Sequence, residues 1–197
     1  MIDNFELITP LLEFPNNDIY YHLQIIRRGK DHPNLPAANR MIKTYFITNV
    51  NDLDFYKQEI KDLCKFFGAR AYINLAPKSI RKTTMLQLKY LAQRAYEGDF
   101  QKIWKSWNTC AGEIKGEEPR WVVDINNTTN SIFDKKTKEI MNYIHHIEPE
   151  DFSRTQAAIP TKSGYHLITT PFNLKQFKEK YPDIDVHKNN PTLLYCL

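Results

Sequence analysis

Thr161-Lys162-Ser163-Gly164-Tyr165-His166-Leu167-Ile168-Thr169 decides how the second half of this chain folds. The alternation in it reads as a strand region, with His166 on the same face as Gly164 and Ile168. Gly164 allows a close approach of backbone, and Ser163 can donate to an oxygen ligand. Upstream lies an apolar strand ending in acid, Trp121-Val122-Val123-Asp124-Ile125-Asn126. Downstream lies Asp183-Ile184-Asp185-Val186-His187-Lys188, where period two puts Asp183, Asp185 and His187 on one face.

Each fragment has a plain reading beside a functional one. Asp124 at the carboxyl end of a buried strand stands where α/β folds place ligands, and it equally suits the start of a turn. His166 on a mostly apolar face fits a satisfied core histidine, or a phosphate partner given Lys162 and Ser163. The third cluster is either a surface turn or a carboxylate pair for a hard cation, which takes oxygen ligands.

The 197 residues suffice for one substantial core or two small halves sharing one. With 42% hydrophobic and 25% charged residues the composition is that of a globular protein. The net charge of +4 permits a nucleic-acid partner without demanding one. Charge is uneven: residues 78–105 carry seven Lys or Arg against two acids. Lys78, Arg81 and Lys82 open that run as candidate nucleic-acid contacts, or as a solvated helix face. Cys64, Cys110 and Cys196 match neither a disulfide framework nor a zinc spacing, which predicts reduced thiols in an intracellular, cytoplasmic protein. Neither a signal-peptide pattern nor a long apolar run is present, so no membrane is expected as a partner.

Periodicity predicts strands over 19–26, 41–50 and 70–75, and a helix from Asn51 or Asp52 to a stop at Gly68. A second helix capped by Ser79 runs to about Tyr96 with Leu88, Leu91, Ala92 and Ala95 inward. A third covers 100–107, with Trp104 and Trp107 on its apolar side. The Gly- and Glu-containing segment 110–119 reads as a hinge. Beyond it come a strand over 120–125, a polar turn over 126–130, and a helix capped by Ser131 with Phe133, Ile140 and Ile144 on one face. A loop to Ala158, the 161–169 strand region, a short helix capped by Asn173 and a strand over 192–197 complete the chain. The expectation is an α+β fold of two parts sharing one compact domain, 1–117 and 118–197.

Taken in order, Asp124, then Ser163, Gly164 and His166, then Asp185 before the apolar Leu193-Leu194-Tyr195, resemble the catalytic signature of the archaeo-eukaryotic primase (primase-polymerase) superfamily. The resemblance spans roughly 120–197. It implies a small N-terminal α/β unit packed on an RRM-like antiparallel sheet with helices, and a DNA primase or polymerase type of nucleotidyltransferase. Asp124, Asn126 and Asp185 would hold Mg²⁺ or Mn²⁺, while Lys162, Ser163, Gly164, His166 and Lys188 would grip a nucleoside triphosphate. Asp124, Asp185 and His166 would form the catalytic set. Single-stranded nucleic acid is the implied partner, a replicative helicase a further one, and phage or plasmid replication the setting. One position departs from the family: its second acid is Asn126 here, an oxygen ligand without charge. The alternative is therefore a catalytically inactive single-strand-binding domain of the same fold. The chain ends just after the last strand, which predicts a minimal catalytic-type module or a fragment of a larger protein.

Overall fold

The computed structural model describes residues 1–32, 34, 39–126 and 135–197. In chain order the elements are β1 (Ile2–Asp3), α1 (Phe5–Ile8), β2 (Ile19–Arg27), β3 (Arg40–Ile47), α2 (Val50–Phe67), β4 (Arg70–Ile73) and β5 (Lys78–Ser79). They continue with α3 (Ile80–Glu97), α4 (Ser106–Glu113), β6 (Trp121–Asn126), α5 (Lys135–His145), β7 (Thr155–Pro160), β8 (Gly164–Thr169), α6 (Leu174–Lys180), β9 (Asp185–Lys188) and β10 (Thr192–Cys196). The fold is a mixture of helices and antiparallel sheets. The expected turn after Asn126 and the expected Ser131 cap with Phe133 lie outside the described residues.

One sheet runs β1-β10-β4-β2-β3, with β5 paired to the start of β2, and the other runs β7-β8-β6-β9. Every pairing is antiparallel. The second sheet is built from β6-α5-β7-β8-α6-β9, the split βαβ arrangement, with β6 central. β10 leaves that half and inserts between β1 and β4, so the last strand crosses the expected division at 117/118.

β6 is apolar on both faces because both are covered. Trp121, Val123 and Ile125 pack with Ile140, Ile144, Leu167 and Phe177 beneath α5 and α6. Val122, together with Ile159 and Ile168, joins the core of the first sheet instead. Asp124 is the one polar side chain that β6 turns toward the first sheet before its exposed end at Asn126.

α2 covers the first sheet through the fully buried Leu53, Ile60 and Cys64. Its cap is Asn49, two residues before the predicted start: Asn49 accepts from the Asp52 amide and Asp52 returns the bond, a capping box. Gly68 ends the helix in the left-handed conformation, φ 55°. Ser79 caps α3 and Asn173 caps α6, as their spacing predicts.

Several expectations differ from the structure. Residues 155–160 form an edge strand rather than a loop; they are poor in β-branched residues and end in Pro160, which an edge tolerates. α3 does not bury Leu88, Ala92 and Ala95: Leu88 is 57% exposed, and the helix is anchored by Tyr20–Thr83 at its first turns and by α4 beyond. Trp104 is exposed, whereas Trp107 packs against Tyr20 and Phe46. The 110–119 segment begins as the last turn of α4. All three cysteines are buried and unpaired. Among the described residues no helix is long and apolar enough to cross a membrane.

Candidate functional site

The 161–169 stretch divides into a turn and a strand. Thr161 N–H donates to the Gly164 carbonyl at 2.8 Å, closing a hairpin between β7 and β8, and β8 starts only at Gly164. Gly164 takes φ 155°, a backbone conformation that a side chain would resist. Lys162 and Ser163 thus stand at an exposed hairpin tip rather than along a strand.

The register of β6 brings the three clusters together. Asp124 lies directly opposite His166 on β8 and directly opposite Asp185 on β9. Residues opposed across antiparallel strands share a face, with Cβ atoms roughly 4.5–5.5 Å apart. Asp185, Asp124 and His166 therefore form one row across three strands. Asn126, two residues along β6, has its Cα partner in Gly164 and shares that face. Asp183 falls in the turn before β9 and is not part of the row.

His166 is held from the first sheet. Its Nδ1 is 2.9 Å from Thr192 Oγ1 of β10, and Thr192 is wholly buried. Nε2 lies 3.9 Å from Asp124 Oδ1, too far for a hydrogen bond. Burial drives the imidazole below its ordinary value, with Asp124 acting against the shift and His187 adding to it. The ring is therefore uncharged near neutral pH.

Between the two sheets Asp124 and His166 of this row open on a cleft of about 270 Å³, which Asp185 does not line. Asp124, Asn126, His166 and the turn residues 161–163 line one side. Arg28, Lys30, Arg70 and Tyr72 of the first sheet line the other, beside Leu193. Arg28 donates to Tyr72 Oη at 3.2 Å, and Arg70 pairs with Asp31 at 2.5 Å. Among the described residues, four basic side chains thus line a cleft in which Asp124 is the only acid. Sequence reading missed the Arg28, Lys30 and Arg70 wall. Its only trace was basic residues at strand ends, and their distance from residues 124–166 in sequence hid the meeting.

Other expected contacts lie elsewhere. Lys188 opposes Trp121 and extends over its ring at 4.8 Å, on the helix-covered face of the second sheet. Lys78 is buried, with Nζ donating to the Ala111 carbonyl. Arg81 and Lys82 are exposed on the first turn of α3, where Lys82 pairs with Glu117 at 2.8 Å. None of these four lines the cleft.

Among the described residues no three His, Cys, Asp or Glu side chains gather into a metal site. The donors on the row are two carboxylates and an amide. That set fits a hard cation such as Mg²⁺, which commonly takes one or two carboxylates and completes its shell with water and phosphate oxygens. Compared with protein families, with curated proteins and with solved structures, the chain shows no match.

Proposed function

We propose that this chain is a primase-polymerase-like nucleotidyltransferase that adds nucleotides from NTPs or dNTPs on a nucleic-acid template. The observation that carries the reading is Asp124 flanked in register by Asp185 and His166, on the edge of a cleft walled by Arg28, Lys30, Arg70 and Lys162. A carboxylate row beside a basic wall suits a triphosphate, whose oxygens need both a metal and cationic donors.

Asp124 and Asp185, with the Asn126 amide oxygen, would hold Mg²⁺ or Mn²⁺, which would supply charge neutralisation at the triphosphate and orientation of the attacking hydroxyl. The guanidinium groups of Arg28 and Arg70 and the Lys162 ammonium supply donors to phosphate oxygens. Ser163 adds a hydroxyl at the hairpin tip. In the His166 tautomer whose Nδ1 accepts from the Thr192 hydroxyl, the ring proton is left on Nε2 for an oxygen in the cleft. Burial keeps that imidazole neutral, so it donates without adding a further positive charge. In the reaction the strand's 3′-hydroxyl bonds to the α-phosphorus, pyrophosphate leaves, and the hydroxyl proton passes to water.

A second reading, a non-catalytic single-strand-binding domain, is favoured by one feature: Asn126 stands where the resembled family carries an acid, so the row brings one charge fewer.

The test is extension of a primed single-stranded template in Mg²⁺ or Mn²⁺, with Asp124→Ala beside the unaltered chain. The variant is expected to lose about 100-fold or more, the usual effect of removing a charge-stabilising group from a reacting site. Its far-UV spectrum and melting should change little, because Asp124 is part-exposed and makes no short hydrogen bond among the described residues. Full incorporation by the variant would overturn the site assignment. Salt-dependent strand binding without incorporation by the unaltered chain would favour the second reading.

A further inference from the structure

A second pocket, of about 250 Å³, lies where β2, β5, the end of α4 and the turn between β9 and β10 meet; it shares no lining residue with the Asp124 cleft. Two basic side chains on its wall are almost wholly buried: His22 is 8% and Lys78 is 4% exposed. Lys78 Nζ donates to the Ala111 carbonyl, and among the described residues no carboxylate lies within ion-pair distance of it. The His22 ring is stacked on Phe46, and its Nε2 is buried without a hydrogen-bond partner. Asn189, in the left-handed conformation at φ 62°, lines the same pocket, and its buried Oδ1 has no hydrogen-bond partner among the described residues. Asn74 fixes that turn by donating to the Asn189 carbonyl at 2.8 Å.

An ammonium taken out of water without a counter-ion is costly, and a buried imidazole nitrogen or amide oxygen left unpaired adds to the cost. The pocket itself tells against both charges: burial lowers Lys78, and burial with Lys78 beside it pulls His22 down to about 4. An anion in the pocket removes every one of these mismatches. Lys78 gains a charge partner, His22 an acceptor, and Asn189 Oδ1 a donor if the anion carries a hydroxyl. That last requirement selects hydrogen phosphate over sulfate or a carboxylate, neither of which brings a proton at neutral pH; a phosphate monoester brings one only as its monoanion, its second pKa lying at about 6. Glu113 and Lys115 sit at the exposed rim. Gly116 closes the pocket tightly, since a Cβ there would come within 2.3 Å of Ala76 Cβ.

We propose that this pocket binds a phosphate group, with Lys78 as its charge partner and His22 as its hydrogen-bond donor. The proposal stands independently of the nucleotidyltransferase reading. Free phosphate and the terminal phosphate of a nucleic-acid strand share the required chemistry.

The test is titration of the full chain with inorganic phosphate, sulfate, and 5′-phosphorylated against 5′-hydroxyl oligonucleotides. Calorimetry follows affinity, and imidazole ¹H–¹⁵N spectra follow the His22 ring, assigned with His22→Gln. Phosphate should shift the His22 signals saturably, with sulfate weaker. Lys78→Met, which keeps volume and removes charge, should weaken the binding about 10- to 100-fold, the range for a lost charge-assisted hydrogen bond. If only the 5′-phosphorylated strand moves His22, the source is a strand end and the site stands. The proposal is overturned if neither phosphate nor the phosphorylated strand moves the His22 signals, or if they move equally in Lys78→Met. Should Lys78→Met not fold, the His22 signals of the unaltered chain decide alone. Incorporation assays read a different property, so a failed polymerase reading leaves this result intact.

Discussion

His22 and His166 are both buried imidazoles lowered by burial, yet they answer acid differently because of their neighbours. His166 has the Asp124 carboxylate beside it to moderate the shift, while His22 has the Lys78 ammonium to deepen it. In the unfolded chain His22 takes up a proton near pH 6.5; in the folded chain it does so only near 4. Its contribution to stability is therefore whole above pH 6.5 and is lost as pH falls through that window. At pH 4 the loss is about 3 kcal/mol. Urea unfolding between pH 7 and 4 should show the decline, and His22→Gln should flatten it by about that amount. The place of Asp124 on β6 was legible in the sequence because one acid interrupts an apolar run. The burial of His22 and Lys78 was not, since nothing local marks a His or Lys as buried. Lys78 looked like the start of a basic surface.

Among the elements, α5 shows how a side chain beyond the helix end closes it. Arg154, 4% exposed, donates to the carbonyls of Ile144 and Ile147 at 2.7 and 2.9 Å and to Pro149 at 2.6 Å. The guanidinium thus satisfies orphan carbonyls at the C-terminal end of α5 and brings a cation to its negative pole. Arg154→Met leaves those carbonyls buried and unpaired, and is expected to cost about 2–4 kcal/mol in urea unfolding. A loss below 1 kcal/mol, measured against the unaltered chain, would mean that water replaces the guanidinium there. Helices with end signals in their own sequence, such as α2 and α6, were legible. β7 and the packing of α3 were not: an edge strand needs little β propensity, and the apolar stripe of α3 finds no cover in the fold.

At the scale of the molecule, the two sheets share core contacts and are also clamped beside the cleft by one buried side chain. Asn4, 1% exposed, donates from Nδ2 to Pro160 of β7 at 2.9 Å and to Leu193 of β10 at 2.8 Å. Pro160 leads directly into the turn that carries Lys162 and Ser163. Asn4→Ala should destabilise the chain by about 1–3 kcal/mol in urea unfolding. Because the turn then loses its anchor, incorporation should fall more than binding of free strand; equal falls in both would show a purely structural role. The alternation of strands and helices foretold a mixed fold, and the order of the acids foretold the row on β6. The strand order of the first sheet lay beyond reach, because pairing Ile2 with Cys196 joins opposite ends of the sequence without a local cue.

That pairing also bears on how the protein is made. The second sheet is contiguous from β6 to β9 and can assemble as soon as those residues emerge from the ribosome. The first sheet cannot close until β10 follows, and until then β4 presents an unpaired edge to whatever other chains are near. Until β10 arrives, β1 has no strand partner and the run from Arg70 to Ile73 has only β2.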